Sequence, residues 1–457
     1  MNLDSETGQR LYIRLVKLMD LFLLTAIFAP VWGYCYAEKM TSPFFHWGNY
    51  VIVGLFFIIN YLITKLYKGY ALHLSRISDL VYSQTLATLI ADGILYVIMT
   101  LVNRSFMSPL PLLLAFAAQS IIIIAWSLAA HRWYLSIHPP LKAVLVCDEY
   151  RMNVDHVMRS YHMDAHFKVT HVIDAGNALD NIHVSLIREA EAVFICGAHS
   201  HERNIIVKYC VSQNIPCYVI PRIGDVIMSG AEKIHLFHLP MLLVHRYGPT
   251  PEYLFIKRIM DIALSLVAVI FFSPFMAIVA VAIKATDGGS IFYRQRRVTK
   301  DRKEFDVLKF RSMRMDAEKD GVARLSTGEN DPRITKVGRI IRAIRFDELP
   351  QLLNILQGDM SIVGPRPERP EISRQYEKDI PEWPLRLQCK CGLTGYAQVY
   401  GQYNTTPYDK LLMDLMYIAN PSIVEDIKII FGTVKILFMK ESTAGVAEGQ
   451  TTAAGKK

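Results

Sequence analysis

Four long apolar stretches occupy the start of the chain, near 13–36, 49–66, 82–102 and 109–130. Each is close to the roughly 20 residues that a spanning helix needs. The pattern predicts a four-helix transmembrane bundle over residues 1–136. From 141 to 247 it changes to short apolar runs, AVLVC at 143–147, AVFICG at 192–197 and PCYVIP at 216–221, separated by polar stretches long enough for helices. This βαβ rhythm predicts a Rossmann-like parallel-sheet domain over 141–247. A fifth apolar segment, 262–283, is again long enough to cross a bilayer, with Lys257, Arg258 and Asp261 before it and Lys284 after it. Near the end, 422–440 interleaves apolar residues with Lys428, Lys435 and Lys440, as expected of a helix lying in a membrane interface or packed on a domain. The tail, 441–457, is poor in large apolar residues and is expected to be disordered.

Charge decides the orientation. Arg10, Arg14 and Lys17 precede or open the first stretch, Lys65, Lys68 and Arg76 occupy the second loop, and Arg132 and Lys142 follow the fourth stretch. The other two loops hold only Lys39 and Arg104, so both ends of the bundle should face the cytoplasm. Residues 284–345 contain 17 Lys and Arg against 9 Asp and Glu, a net of +8 that equals the charge of the whole chain. Such a basic segment belongs on the cytoplasmic side, where the sheet domain has already been placed. Both flanks of the fifth segment therefore want the same side. Pro274 removes a backbone donor near its middle, and Ser273 beside it can bond a freed carbonyl. A re-entrant helix near 254–284, broken at Ser273 and Pro274, reconciles the two flanks.

Composition adds limits. With 52% hydrophobic and 20% charged residues and a mean hydropathy of +0.22, the chain is neither disordered nor an ordinary soluble enzyme. No cleavable signal peptide is expected. The seven scattered cysteines suggest reduced thiols in a cytoplasmic setting, and Cys389 and Cys391 lack a second pair at zinc spacing. Asp92, inside the third stretch, is expected to be a protonated carboxyl or a helix–helix hydrogen-bonding group rather than a transport site. The turn after the first short run, CDEYRMN, has none of the glycines that let a backbone approach pyrophosphate, so a structural or regulatory module is expected there. His199 and His201, with no third partner in view, read as solvated.

The candidate chemistry lies in the last third. In RFDELPQLLNIL, 345–356, Asp347 and Glu348 stand just before an apolar-periodic run, with Pro350 suited to a first helical turn. A helix dipole and the nearby Arg342 and Arg345 should favour their ionised forms, so a carboxylate there could act as nucleophile or hold a divalent cation. In GDMSIVGPRPE, 358–368, two prolines flank Arg366 and hold it in a stiff loop suited to diphosphate oxygens. In KFRSM, 309–313, Lys309 and Arg311 alternate and should share one face of a strand. A basic face, two acids and a membrane-embedded hairpin suit anionic substrates at a lipid surface.

These residues resemble the bacterial sugar transferases, the polyprenyl-phosphate hexose-1-phosphate transferases or monotopic phosphoglycosyl transferases. The resemblance rests on KRIMD at 257–261, the Ser273-Pro274 break, FYRQ at 292–295, KFRSM, NDPRIT at 330–335, DELPQLLN at 347–354, GDMSIVGPRPE and LTGYAQV at 393–399. Four preceding membrane helices and a sheet domain look like the large subclass. The resemblance implies a re-entrant helix joined to a small α/β catalytic domain over 252–440, at the cytoplasmic face of a bacterial inner membrane. It implies that Asp347 attacks the β-phosphate of a UDP-sugar and releases UMP, and that undecaprenyl phosphate then takes the sugar phosphate. Glu348 would assist as base or orienting group, Mg2+ would be held in part by Asp347, and Arg342 and Arg366 match phosphate-contacting positions. The expected step initiates an exopolysaccharide, capsule or O-antigen. Membrane lipid is a partner, a homodimer through the bundle is open, and no nucleic-acid partner is expected.

Two departures stand out. Where the family usually has a glycine-rich turn, this chain reads RRVTKDRKEF, and the sheet domain lacks glycines that many relatives keep. Three other readings fit the sequence less well. A membrane-bound nucleotide-sugar dehydratase needs a cofactor turn and a Tyr-x-x-x-Lys pair not found in the last third, and a metal-dependent glycosyltransferase usually needs Asp-x-Asp, which is absent. A membrane scaffold or regulator of polysaccharide assembly leaves Asp347, Glu348 and Arg366 unexplained.

Overall fold

The computed structural model describes residues 6–437 apart from 42, 45–46, 73–75, 148–165, 179–180, 316–330, 332 and 402–404. The tail expected to be disordered, the turn CDEYRMN beyond Cys147, and Asn330 and Pro332 of NDPRIT lie outside the described residues. The chain divides into two compact units, Met1–Ile220 and Pro221–Lys457.

The first unit opens with helices α1 (Glu6–Pro30, continued by a π-helical turn Val31–Tyr36), α2 (Gly48–Leu66), α3 (Ile77–Asn103) and α4 (Leu110–Ile137). All four segments are long and apolar enough to cross a membrane. Their contacts mix close apolar packing with polar bonds. The Phe28 and Phe56 rings stack at 4.4 Å, Asn60 Nδ2 donates to Thr88 Oγ1 (3.2 Å), and Gln119 Nε2 donates to Leu24 O (3.3 Å). In lipid, where burying a Leu against a Leu gains little, such hydrogen bonds and snug contacts hold helices together. Asp92 is buried as expected, but neither of its oxygens has a hydrogen-bond partner among the described residues, so it does not bond across helices.

Four parallel strands follow, β1 (Leu141–Cys147), β2 (Phe167–Asp174), β3 (Ala192–Cys196) and β4 (Cys217–Val219), in the order β2-β1-β3-β4. Helices α5 (Asn181–Glu189) and α6 (Ser200–Ser212) lie between β2 and β3 and between β3 and β4. Val144, Val146, Val193 and Ile195 share the core of this layer with Ile187, Ile206 and Cys210. The near-continuous apolar runs are what a parallel sheet covered by helices requires.

The second unit begins earlier than the sequence suggests. The expected sheet domain runs to 247, whereas residues from Pro221 group with the C-terminal unit. The reason is burial: in α7 (Ile223–Ser229), Ile223 and Val226 enter a core built on Trp383, Ile355, Met360 and Leu411. Strands β5 (Glu232–Leu236) and β6 (Leu239–Leu243) then form an antiparallel hairpin.

Helix α8 (Pro251–Asp287) runs for 37 residues from a Thr250 cap to Gly288, whose φ of +69° lets the chain leave the helix. It is the fifth segment apolar enough to span, and only 6% of its most apolar window is buried, against 28–33% in the other four. Pro274 lies inside it, and Ser273 Oγ donates to Ile270 O (2.8 Å), the carbonyl four residues before the proline. The acceptor that Pro274 leaves without a helical donor is thereby satisfied. Both halves of α8 meet the same unit. Arg258 donates to the carbonyls of Ile355 and Leu356 (2.7 and 2.8 Å), and Asp261 accepts from Ile362 N (3.0 Å). Beyond the proline, Met276, Val279, Ala280 and Ile283 pack with Phe310, Ile341 and Phe346.

Strands β7 (Phe292–Val298) and β8 (Glu304–Phe310) pair antiparallel, with Tyr293 opposite Lys309. Their turn answers the first departure. Asp301 and Arg302 both take positive φ (56° and 60°), and Lys303 N donates to Lys300 O, a type I′ geometry that usually favours glycine. The turn forms without one. The rest comprises α9 (Lys336–Ala343), α10 (Gln351–Gln357), β9 (Ser361–Val363), α11 (Pro370–Asp379), β10 (Gly392–Thr394), α12 (Tyr396–Tyr400), α13 (Pro407–Ala419) and α14 (Ile423–Leu437). Strands β9 and β10 pair in parallel. Helix α14 packs on the unit: Ile429 is in its core, and buried Asp426 accepts from Tyr253, Lys257 and Tyr417 at 2.8–3.0 Å. Lys440 lies outside the described residues. Cys389 and Cys391 are buried in that same core, and no cluster of three potential metal ligands occurs among the described residues.

Candidate active site

Strand β8 and helix α10 are locked together by one side chain. Asn354, 2% exposed, donates through Nδ2 to Asp306 O (2.9 Å) and accepts at Oδ1 from Leu308 N (2.9 Å). The carboxamide thus satisfies two backbone groups of β8 as a neighbouring strand would, and so fixes the register of Lys309 against the turn before α10.

That turn carries the two acids. Arg345 takes a left-handed conformation (φ 57°), and a 3-10 turn, Phe346–Glu348, follows before α10 starts. Asp347 and Glu348 therefore sit just before α10, as the sequence suggests, and the charges of nearby side chains set them apart. Glu348 Oε1 accepts from Lys309 Nζ (2.8 Å) and from Arg366 Nη2 (3.0 Å). These two cations outweigh burial and hold its carboxyl well below the usual glutamate range. Asp347 behaves oppositely. Half-buried, it takes no hydrogen bond among the described residues, and burial together with the Glu348 charge raises its pKa despite Lys309, Arg342 and Arg345. The expectation that both acids are favoured as anions thus holds for Glu348 and is corrected for Asp347.

Arg366 owes its aim to the backbone around it. Neither Pro365 nor Pro367 has an N–H, so carbonyls are the handles by which this loop can be held. All four from 365 to 368 are taken by different donors: Gly392 N to Pro365 O (3.0 Å), Arg386 Nη2 to Arg366 O (2.9 Å), Arg297 Nη1 to Pro367 O (3.1 Å) and Val298 N to Glu368 O (3.0 Å). A Cβ on Gly364 would collide with Lys390 O, and one on Gly392 with the backbone of Gly364. Arg386 is itself fixed by a buried pair with Asp414 (2.7 Å) and lies over the Trp383 ring at 4.5 Å. Breaking such a pair by removing one partner costs about 3–5 kcal/mol, so the strut under Arg366 is stiff.

The structure therefore gathers Lys309, Glu348 and Arg366, with Asp347 adjacent and Arg342 within electrostatic reach of it. Arg311 is not among them. It lies one residue beyond β8, is 7% exposed, and packs its guanidinium against Gly289. Ser273 and Pro274 lie in α8, where the preceding Phe272 meets Phe346, the residue before Asp347, edge to face at 6.0 Å.

Sequence reasoning left out Arg297, Gln351, Asn354, Arg386 and Asp414. Gln351 and Asn354 stand inside the DELPQLLN string itself and could have been singled out as polar positions on an otherwise apolar helix. Arg386 and Asp414 are 28 residues apart and carry no local signal. Arg297, Lys309, Gln351 and Arg366 line one open cleft with Val307, Pro367 and Gly392. Burial pushes the Arg297 guanidinium down to about 10 even with Glu368 beside it.

Residues 252–440 match the family model of the bacterial sugar transferases. The exopolysaccharide production protein PSS of Rhizobium leguminosarum bv. phaseoli is 43% identical over 190 residues, 40% of this chain and 94% of that protein. The UDP-N-acetylgalactosamine-undecaprenyl-phosphate N-acetylgalactosaminephosphotransferase of Aeromonas hydrophila is 39% identical over 234 residues, 50% of this chain and 53% of that one. The UDP-glucose:undecaprenyl-phosphate glucose-1-phosphate transferase of Escherichia coli K12 is 39% identical over 212 residues, 45% and 44% of the respective chains. The chain thus spans about half the length of the latter two relatives. A family match over the unit that holds Asp347, Glu348 and Arg366, and a relative covered over nearly its whole length, place the chain in the bacterial sugar transferase family.

Proposed function

We propose that this protein transfers a sugar 1-phosphate from a UDP-sugar to undecaprenyl phosphate at the cytoplasmic face of a bacterial inner membrane, as the first membrane step of an exopolysaccharide, capsule or O-antigen. The observation that carries this reading is the unequal acid pair: Glu348 bound by two cations, and Asp347 beside it without a hydrogen-bond partner among the described residues. In the first half-reaction an Asp347 carboxylate oxygen bonds to the β-phosphorus as the bond to the UMP oxygen breaks. In the second, the oxygen of undecaprenyl phosphate bonds to that phosphorus and the Asp347 carboxylate leaves. One anhydride-type bond replaces another at each step, which suits covalent catalysis. Lys309 and Arg366 offer donors to the charge that gathers on the phosphoryl oxygens.

Glu348 acts by orientation and charge in this reading. A carboxylate held this far below its usual range is a weak base at neutral pH, and its contacts already fix Lys309 and Arg366. The residues fit Mg2+ in the way common for phosphate substrates, with one protein carboxylate and the remaining positions left to substrate phosphates and water. Asp347 would hold the ion, which supplies screening of the diphosphate charge.

The apolar helix is proposed to turn back within the leaflet at Ser273 and Pro274. Support comes from its two halves packing on one polar unit, since a straight crossing would part Arg258 from Ile283 by the bilayer. Cysteines introduced at His245 and Lys300, both exposed, should react with an impermeant maleimide from the same face of oriented vesicles; reaction from opposite faces would refute the turn. The catalytic reading is tested by incubating membranes that contain the full chain with undecaprenyl phosphate and a panel of UDP-sugars while following UMP. Release of UMP with at least one sugar is expected, and none with any sugar would defeat it. The named relatives differ in their sugar, glucose in one and N-acetylgalactosamine in another, so the panel must include both.

A further inference from the structure

We propose that Gln351 is a further substrate-contacting residue, whose carboxamide donates to a phosphoryl oxygen bound in the cleft it shares with Arg297, Lys309 and Arg366. The inference rests on the transferase reading for the identity of the substrates. Gln351 opens α10 four residues after Asp347 and is 4% exposed, yet its side chain makes no hydrogen bond among the described residues. Its amide atoms are not among the buried unpaired ones, so they open to the cleft, where a ligand oxygen can take the place of water.

Its neighbours do not use it. Arg297 donates to Gln295 Oε1 (2.6 Å) and Pro367 O, and Lys309 and Arg366 both donate to Glu348. A carbonyl oxygen in the midst of three cations would be an obvious acceptor, and the three are anchored elsewhere. Asn354, one helical turn on, shows the contrast, since both ends of its carboxamide are taken by β8. The cleft presents three cationic donors and one free amide, a set that suits an anionic oxygen. Such an oxygen belongs to the nucleoside diphosphate or to the lipid phosphate, and the test separates the two.

Full-length wild type, Gln351→Met and Gln351→Glu are compared in detergent micelles. Methionine keeps the volume and removes the hydrogen-bonding group; glutamate keeps the shape and adds an opposing charge. The Kd of uridine diphosphate is measured by calorimetry, and KM and kcat are measured with undecaprenyl phosphate and the active UDP-sugar. Gln351→Met is expected to weaken one phosphate ligand about tenfold with kcat changed less than threefold, the pattern of a lost binding contact. Gln351→Glu is expected to weaken it further, to about 100-fold. Weaker binding of uridine diphosphate assigns the contact to the nucleotide; a rise confined to the KM for undecaprenyl phosphate assigns it to the lipid. If every constant stays within twofold of wild type in both variants, the proposal is overturned. Wild type that releases no UMP defeats the transferase reading instead, and the uridine diphosphate Kd then decides alone for Gln351.

Discussion

Asp347→Asn is expected to lower UMP release by at least about 10³-fold, because an amide cannot form the acyl phosphate and its oxygen is a poor nucleophile. The substitution is nearly isosteric, and Asp347 takes no hydrogen bond among the described residues, so the fold should persist with an unfolding temperature at neutral pH no lower than that of wild type. Retention of more than a tenth of the activity would exclude Asp347 as nucleophile. The pH profile offers a second check. Attack needs the ionised carboxylate, and burial with the Glu348 charge raises the Asp347 pKa above its ordinary value. Before Mg2+ binds, the anionic form is therefore lost as pH falls through that raised pKa, and at limiting Mg2+ kcat/KM should drop on the acid side at a pH above the usual aspartate range. The same shift has a cost in stability. Because the folded-state pKa is raised, the charged form of Asp347 disfavours folding at neutral pH; this penalty shrinks as pH falls through the raised value and is gone below the ordinary aspartate pKa.

The membrane helices and parallel strands were legible because each is written in contiguous residues. About twenty mostly apolar positions, or a run of five apolar residues between polar stretches, point to one structure whatever surrounds them. The boundary at 221 was not legible, since Ile223 and Val226 look the same whether they cover the sheet or enter the core around Trp383. Within the site, Asp347, Glu348 and Arg366 stood out because prolines and charge mark their strings. For Arg311 the alternation holds one pair past β8, where its N donates to Ile291 O, and it is the guanidinium's position beside Gly289 that the string does not show. What the sequence did not show was how the loop is held. The Arg386–Asp414 pair and the four donors to carbonyls 365–368 join residues brought together only by folding. The unequal ionisation of the two acids has the same origin, because it depends on which of them Lys309 and Arg366 reach.

Glu348→Gln is the substitution that tests this inequality, and it is expected to lower kcat about 10²-fold while moving the acid limb of the pH profile to lower pH. The neutral amide can still accept one hydrogen bond at Oε1, but the charge that balances Lys309 and Arg366 is gone. Charge-assisted bonds are worth about twice their neutral counterparts, so both cations lose part of their fixation and their aim at the phosphoryl oxygens loosens. Two effects then act on Asp347 in the same direction. The Glu348 charge, the larger of the charges that raise its pKa, is removed, and Lys309, which lowers it, is left with Asp347 as its nearest acid in this cluster. The carboxylate of Asp347 is therefore easier to ionise and a weaker nucleophile once ionised. A general base at position 348 predicts otherwise: loss of the base would cut kcat while the limb set by Asp347 stayed where it was. An unshifted limb would thus reject the account of Glu348 as the group that sets the charge of its neighbours, and a shifted one would separate its role from proton transfer.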